Sequence, residues 1–196
     1  MTRGKRCHRG FAALLLLLVL ALLVACGGGG GGGSTPTQPP PPPPPPPPPT
    51  QPSVTFTPSA AAGTGSIALA MGADSTGTKL VVEVRSGGVQ DLYGVAFDLQ
   101  YPANLLQLTA ATQGDLLAGG TFQQSSTATG NVVIGVSRLG LVSGVSGAGV
   151  IARLEFKPLL SGTGVLSFSR NAALDSKAVP ISGVTWIAGS FTAVVP

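Results

Sequence analysis

The sequence predicts an all-β sandwich carried behind an export signal and a long spacer. Three observations support this. Short runs rich in β-branched and aromatic residues follow one another after Ser66, punctuated by Gly, Ser, Asn and Pro. In the clearest run, apolar residues alternate with small or polar ones, the period-2 signature of a half-buried strand. No stretch holds a helical period for more than two turns, although Thr109 to Leu117 leaves room for one helical turn. No internal repeat divides residues 66–196, and about 130 residues suffice for one two-sheet core.

At the amino terminus, Arg3, Lys5, Arg6 and Arg9 precede an apolar stretch from Phe11 to Ala25. A basic region, a short apolar region and a small residue before a cut are the parts of a secretory signal. The fifteen apolar positions fall short of the roughly 20 that span a bilayer. The run Leu23-Val24-Ala25-Cys26 resembles the lipobox of bacterial lipoprotein precursors. That resemblance implies cleavage before Cys26, acylation of its thiol and new amino terminus, and lipid anchoring to the cell envelope, either periplasmic or on the cell surface. Residues 1–25 are then a signal peptide.

Such a cut changes what chemistry is available. The whole chain carries 11 Lys+Arg against 7 Asp+Glu, and four of the basic residues lie before Cys26, so the mature chain is neutral. No basic excess remains to argue for nucleic acid. Cys7 and His8 leave with the signal, so the mature protein has no histidine and a single, lipidated cysteine. Disulfides, Cys/His zinc sites, thiol nucleophiles and a Ser-His-Asp triad are excluded by inventory. The seven remaining carboxylates form no recognisable acid/base pair. The expectation is a protein without catalytic residues, metal or cofactor.

Residues 26–65 read as a linker. Seven glycines follow Cys26, and Pro39 to Pro49 is an unbroken run of eleven prolines. Glycine tracts are flexible, whereas polyproline forms an extended rod of about 3.1 Å per residue, here roughly 34 Å. Within the last part of this linker, Val54-Thr55-Phe56 is a candidate edge strand. In the domain proper, over residues 66–196, strands are expected at Ile67–Leu69, Leu80–Arg85, Tyr93–Tyr101, Val132–Ser137, Val150–Lys157, Val165–Arg170 and Phe191–Val195. In the third of these, Tyr93, Val95, Phe97, Leu99 and Tyr101 take the core parity. Gly94, Ala96, Asp98 and Gln100 take the outer one. Charged residues such as Glu83, Arg85, Arg153 and Glu155 fall on outer parities and read as solvated faces.

The run Tyr93-Gly94-Val95-Ala96-Phe97-Asp98-Leu99-Gln100-Tyr101, followed by Pro102-Ala103-Asn104-Leu105-Leu106, resembles the strand-plus-turn of cohesin domains. Gly114-Asp115-Leu116-Leu117 is similar to a recurrent corner of that family. Ser146-Gly147-Ala148-Gly149 leading into Val150-Ile151-Ala152-Arg153-Leu154-Glu155-Phe156-Lys157 is similar to its Gly-rich loop and following strand. Leu174-Asp175-Ser176 and Gly189-Ser190-Phe191 fall where its last two strands belong. The resemblance implies a nine-stranded jelly-roll sandwich that binds dockerin modules, with any calcium belonging to the dockerin. It also implies a docking face formed by outward residues of the third, fifth, sixth and eighth strands. On this chain that face comprises Gly94, Ala96, Asp98 and Gln100, then Val133, Gly135 and Ser137 with Arg138 and Leu139 beyond them, and Ser167 with Ser169. The best-known cellulosomal cohesins carry Asn and Asp where Gly94 and Ala96 align, and an acidic residue near Arg138 or Leu139. The implied partner is therefore a dockerin-like or other secreted protein that meets a flatter, less acidic face.

Other readings stand beside this one. The small outward residues suit a plain solvated sheet, and the domain suits a structural envelope role. Leu139 and Leu141 are either exposed anchors or residues tucked beneath their loop. A carbohydrate-binding module of related topology would take polysaccharide on exposed rings, and Trp186 is the main candidate for such a platform.

Overall fold

The computed structural model describes residues 43–196; Cys26, the expected signal and the glycine tract lie outside the described residues. Pro43 to Pro49 are exposed and join no sheet. The strands are β1 (Ser53–Pro58), β2 (Ser66–Met71), β3 (Leu80–Leu92), β4 (Gly94–Gln100), β5 (Leu106–Gln113), β6 (Thr121–Ala128), β7 (Asn131–Ser137), β8 (Val145–Pro158), β9 (Gly162–Leu174), β10 (Thr185–Ile187) and β11 (Gly189–Val194). They form a six-stranded sheet in the order β1-β11-β9-β4-β7-β6 and a five-stranded sheet in the order β10-β2-β3-β8-β5. Only β10 and β2 run parallel among the pairs of these strands.

Every expected strand forms, and the eleven strands among the described residues exceed the nine that the resemblance implies. Val54-Thr55-Phe56 lies in β1 and belongs to the sandwich rather than to the spacer. Val54 and Phe56 are buried, and β1 pairs along its length with β11. The helical turn allowed for Thr109 to Leu117 is replaced by β5, which pairs with β8 as far as Gln113. Only a tight turn remains beyond it, closed by Ala118 N–H to Asp115 O and Gly120 N–H to Leu117 O. Available partner backbone on β8 outweighs the weak local helical preference of this segment.

The core lies between the sheets. Val95, Phe97 and Leu99 point inward from β4, as their parity predicts, and face Ile67, Leu69, Leu154 and Phe156 of the other sheet within one apolar cluster. Tyr101 packs against that cluster. Tyr93 departs from its expected core place: it is half-buried, just before β4, and its hydroxyl donates to Gly140 O at 2.7 Å. The phenol at the strand's end keeps its ring partly covered and gives its O–H to the loop.

The outer face of the five-stranded sheet carries the charges. Glu83 Oε1 accepts from Arg153 Nε at 3.1 Å, and Glu83 Oε2 accepts from Arg85 Nη1 at 2.5 Å. Lys79 lies 3.5 Å from Glu155. These residues sit on the solvent side as expected, although Glu83 itself is covered by its two guanidinium partners.

Candidate docking face

The order β9-β4-β7-β6 joins β4, the β6–β7 hairpin and β9, from three separate parts of the sequence, into one continuous surface. Their register lines up cross-strand rows. Gly94 lies between Leu174 and Ser137, with Thr121 beyond; Ala96 lies between Ala172 and Gly135, with Gln123 beyond. Asp98 lies between Ser169 and Val133, with Ser125 beyond, and Gln100 lies between Ser167 and Asn131. All the expected strand residues of the face are therefore brought together.

The surface is shaped by small side chains. Gly94, Ala96, Gly135, Ser137, Thr121, Gln123 and Leu174 line a shallow, open depression of about 230 Å³. At Gly135 an added Cβ meets only Gln123 Cβ at 3.9 Å, and at Gly94 the nearest atom is 3.6 Å away. Neither position needs glycine for packing space, so their flatness is a property of the face itself. A larger hollow of about 470 Å³ lies between Ala62-Gly63-Thr64 and Arg85-Ser86-Gly87. Its walls are mostly small residues, and its one guanidinium is already engaged by Glu83.

Asp98 does not stand on this face as an open carboxylate. It is only 5% exposed, because Arg170 and Asn131 close over it. Asp98 Oδ2 accepts from Arg170 Nε at 2.8 Å, from Arg170 Nη2, and from Asn131 Nδ2 at 3.2 Å. The cause is a bulge in β9: register slips between Ala96 and Asp98, and Arg170 takes a left-handed φ of 46°. The bulge turns the Arg170 side chain, itself 71% exposed, across the sheet. The outward charge of the face is thus a guanidinium where parity alone predicts a carboxylate. No period-2 reading reveals a bulge, so Arg170 is missed by sequence reasoning. Also missed are Thr121, Gln123 and Ser125, because β6 has no apolar alternation to announce it.

Arg138 and Leu139 lie past the end of β7. Arg138 is half-buried, its N–H donating to Tyr93 O at 3.0 Å. Leu139 is exposed, and so are Leu141 and Val142, so these side chains do not tuck beneath the loop. The loop is nonetheless held. Asp91 Oδ1 accepts from Gly144 N–H at 2.8 Å, while Asp91 Oδ2 accepts from the Ser176 hydroxyl at 2.8 Å and the Ser176 N–H at 3.3 Å. One carboxylate thereby ties two loops at the same end of the sandwich.

Both acids are held below the ordinary carboxylate range, Asp91 chiefly by the Ser176 hydroxyl and Asp98 chiefly by the Arg170 guanidinium. A lowered folded pKa contributes stability that is present above the unfolded value near 3.9 and is lost as pH falls through the folded one. The thermal midpoint is therefore expected to drop below about pH 4, and to drop less steeply in Asp91→Asn, which has no such ionisation to lose. Midpoints measured from about pH 2 to about pH 6 check this. Parallel curves for the two proteins would exclude the role of Asp91.

Trp186 is half-buried on the inner side, its ring centroid 5.0 Å from Phe168 and 6.2 Å from Phe97. It packs against the core and offers no free ring platform.

A family model described as Cohesin domain matches residues 66–193. A comparison with curated proteins finds no match. Among solved structures, the chain is similar to a non-cellulosomal cohesin from the hyperthermophilic archaeon Archaeoglobus fulgidus, at 19% identity and TM-score 0.53, covering 74% of this chain and 92% of that one. It is similar to the second type II cohesin module of an adaptor scaffoldin of Acetivibrio cellulolyticus, at 17% identity and TM-score 0.55, covering 67% and 90%. A third, from a type II cohesin–X-dockerin complex of Acetivibrio cellulolyticus, shows 15% identity and TM-score 0.52 over 62% and 92%. At these identities the likeness establishes the fold.

Proposed function

This chain belongs to the cohesin family, whose domains are protein-binding modules rather than enzymes, and from that premise we propose that it is a displayed docking module. It captures a dockerin-like secreted protein on the outer face of β9, β4, β7 and β6, and acylated Cys26 holds it on the cell envelope at the end of the Gly/Pro spacer.

The observation that carries this reading is the sheet order. The strands β9, β4 and β7, which carry the residues that the resemblance implies for the docking face, lie with β6 as consecutive neighbours with mostly small outward side chains. A protein partner needs such a surface to bury the roughly 1,200–2,000 Å² typical of a stable interface. The face lacks an open carboxylate, since Asp98 is bound by Arg170. Shape, hydroxyl and amide contacts therefore select the partner more than acidic charge does. Leu139, Leu141 and Val142 add apolar anchors at one end.

Gly135→Arg tests the face cleanly. The position is open, so the fold tolerates the side chain, while a long cation in the middle of the depression obstructs docking. The immobilised domain is expected to retain a secreted protein in calcium and release it to a chelator, with at least about a tenfold loss of retention in the variant. Equal retention by the Gly135→Arg domain would remove this face from the function. Asp98→Lys is a poor probe, because it places a second cation against Arg170 at a covered position.

A further inference from the structure

The two sheets leave four edge strands: β1, β6, β10 and β5. An uncovered edge presents unpaired N–H and C=O groups to any extended chain, and stable folds usually blunt it. β10 is only 3 residues long. β1 is bracketed by Pro52 and ends at Pro58, and proline has no N–H to offer. β5 is interrupted by a register shift between Leu108 and Ala110.

β6 is the least protected of the four, its one register shift falling at its very end, between Ser126 and Ala128. It runs for 8 residues, holds no proline and no charge, and pairs with β7 without a register shift from Thr121 to Ser126. Gln123, Gln124, Ser125 and Ser126 are exposed on both faces of the strand, so no loop covers it. Its neighbour β7 carries no charge either, nor does β5 on the same flank of the sandwich. When two such edges meet, no like charges oppose each other across the axis. Gln and Ser side chains of one copy find hydrogen-bonding Gln and Ser on the other.

We infer that β6 is a self-association surface: two copies of this chain pair antiparallel through β6 and join their six-stranded sheets into one. An antiparallel pair of identical strands is isologous and closes as a dimer, so it does not propagate into a fibre. The contact is narrower than a standard interface, so the association is weak and concentration-dependent. This inference does not depend on what docks on the face.

Sedimentation equilibrium on the sandwich from Pro46 onward, which contains the whole described core, tests it. Apparent mass is expected to climb from monomer towards dimer as concentration rises. Gln124→Lys and Gln124→Glu are each expected to weaken association by at least about tenfold, because like charges then face one another across the axis. An equimolar mixture of the two variants is expected to associate again. Unchanged thermal midpoints establish that the exposed substitutions leave the fold intact, and Ser126→Lys with Ser126→Glu provides a second pair should either fail. A wild-type chain that stays monomeric up to its solubility limit would overturn the inference. So would association indifferent to both charges, or association lost instead on Leu139→Ser with Leu141→Ser, which would put the contact at the apolar loop.

Discussion

Phe97→Ala is expected to destabilise the sandwich by about 3–5 kcal/mol, lowering the thermal midpoint by roughly 6–20 °C for a domain of this size. Phe97 is 1% exposed and sits where the two sheets meet. Its ring stands edge-on to Phe168 with centroids 5.3 Å apart and lies 6.2 Å from Trp186, which itself packs edge-on to Phe168. Truncation removes apolar contact and opens a cavity whose walls belong to strands of both sheets, so collapse around it is limited. Part of the loss is aromatic pairing, worth about 0.5–1.5 kcal/mol beyond area. Because the three rings share contacts, Phe168→Ala added to Phe97→Ala is expected to cost less than the sum of the single changes. Chemical denaturation of the single and double variants measures this. A loss below about 1 kcal/mol for Phe97→Ala would show that this cluster does not organise the core.

Gly114→Ala is the second large effect, and it comes from backbone rather than side chain. A Cβ at this buried position meets Val150 O at 2.2 Å, Val150 C at 2.5 Å and Ile151 C at 2.9 Å. The chain passes this close because Gly114 N–H donates to Ile151 O at 2.8 Å and Leu116 N–H donates to Val150 O at 2.9 Å. These bonds turn the chain out of β5 and seat Leu117 in the core, fully buried. No flexible side chain can yield, so β8 or the turn must move. The expected cost is about 1–3 kcal/mol, larger for Gly114→Val. Stability equal to wild type in Gly114→Ala would mean that the corner relaxes freely.

How much of this was legible beforehand varies from strand to strand for physical reasons. β4 was readable because one face is core and the other is solvent, and the alternation of Val95, Phe97 and Leu99 with Gly94, Ala96 and Asp98 records that directly. β1 was visible as Val54-Thr55-Phe56, though its composition blended into the spacer around it. β6 was invisible: Gln123-Gln124-Ser125-Ser126 is polar on both parities, and the segment becomes a strand because β7 offers it a ladder. At the site, parity placed Gly135, Ser137 and Ser167 correctly on one surface. It failed at Asp98 because burial there is imposed from a third strand, by an arginine that a bulge swings over it. The loop bearing the exposed Leu139 and Leu141 is held by the Tyr93 hydroxyl donating to Gly140 O and by Asp91 accepting from Gly144 N–H, long-range contacts that no local pattern encodes.

The placement of β1 carries a mechanical consequence. The spacer enters the sandwich at Ser53, which pairs with Val194, and β1 runs antiparallel to β11 as far as Pro58 opposite Gly189. If a partner is held on β9, β4, β7 and β6 as proposed, a pull on the spacer directed along β1 would load that strand lengthwise. Such tension tries to slide β1 past β11, so it loads the whole ladder at once instead of peeling it open bond by bond. Burial of Val54 and Phe56 adds resistance to that sliding. Rupture under load follows the unfolding rate rather than the equilibrium stability. Under the proposed function, the short strand at the junction would then serve as a shear clamp against drag on a captured protein.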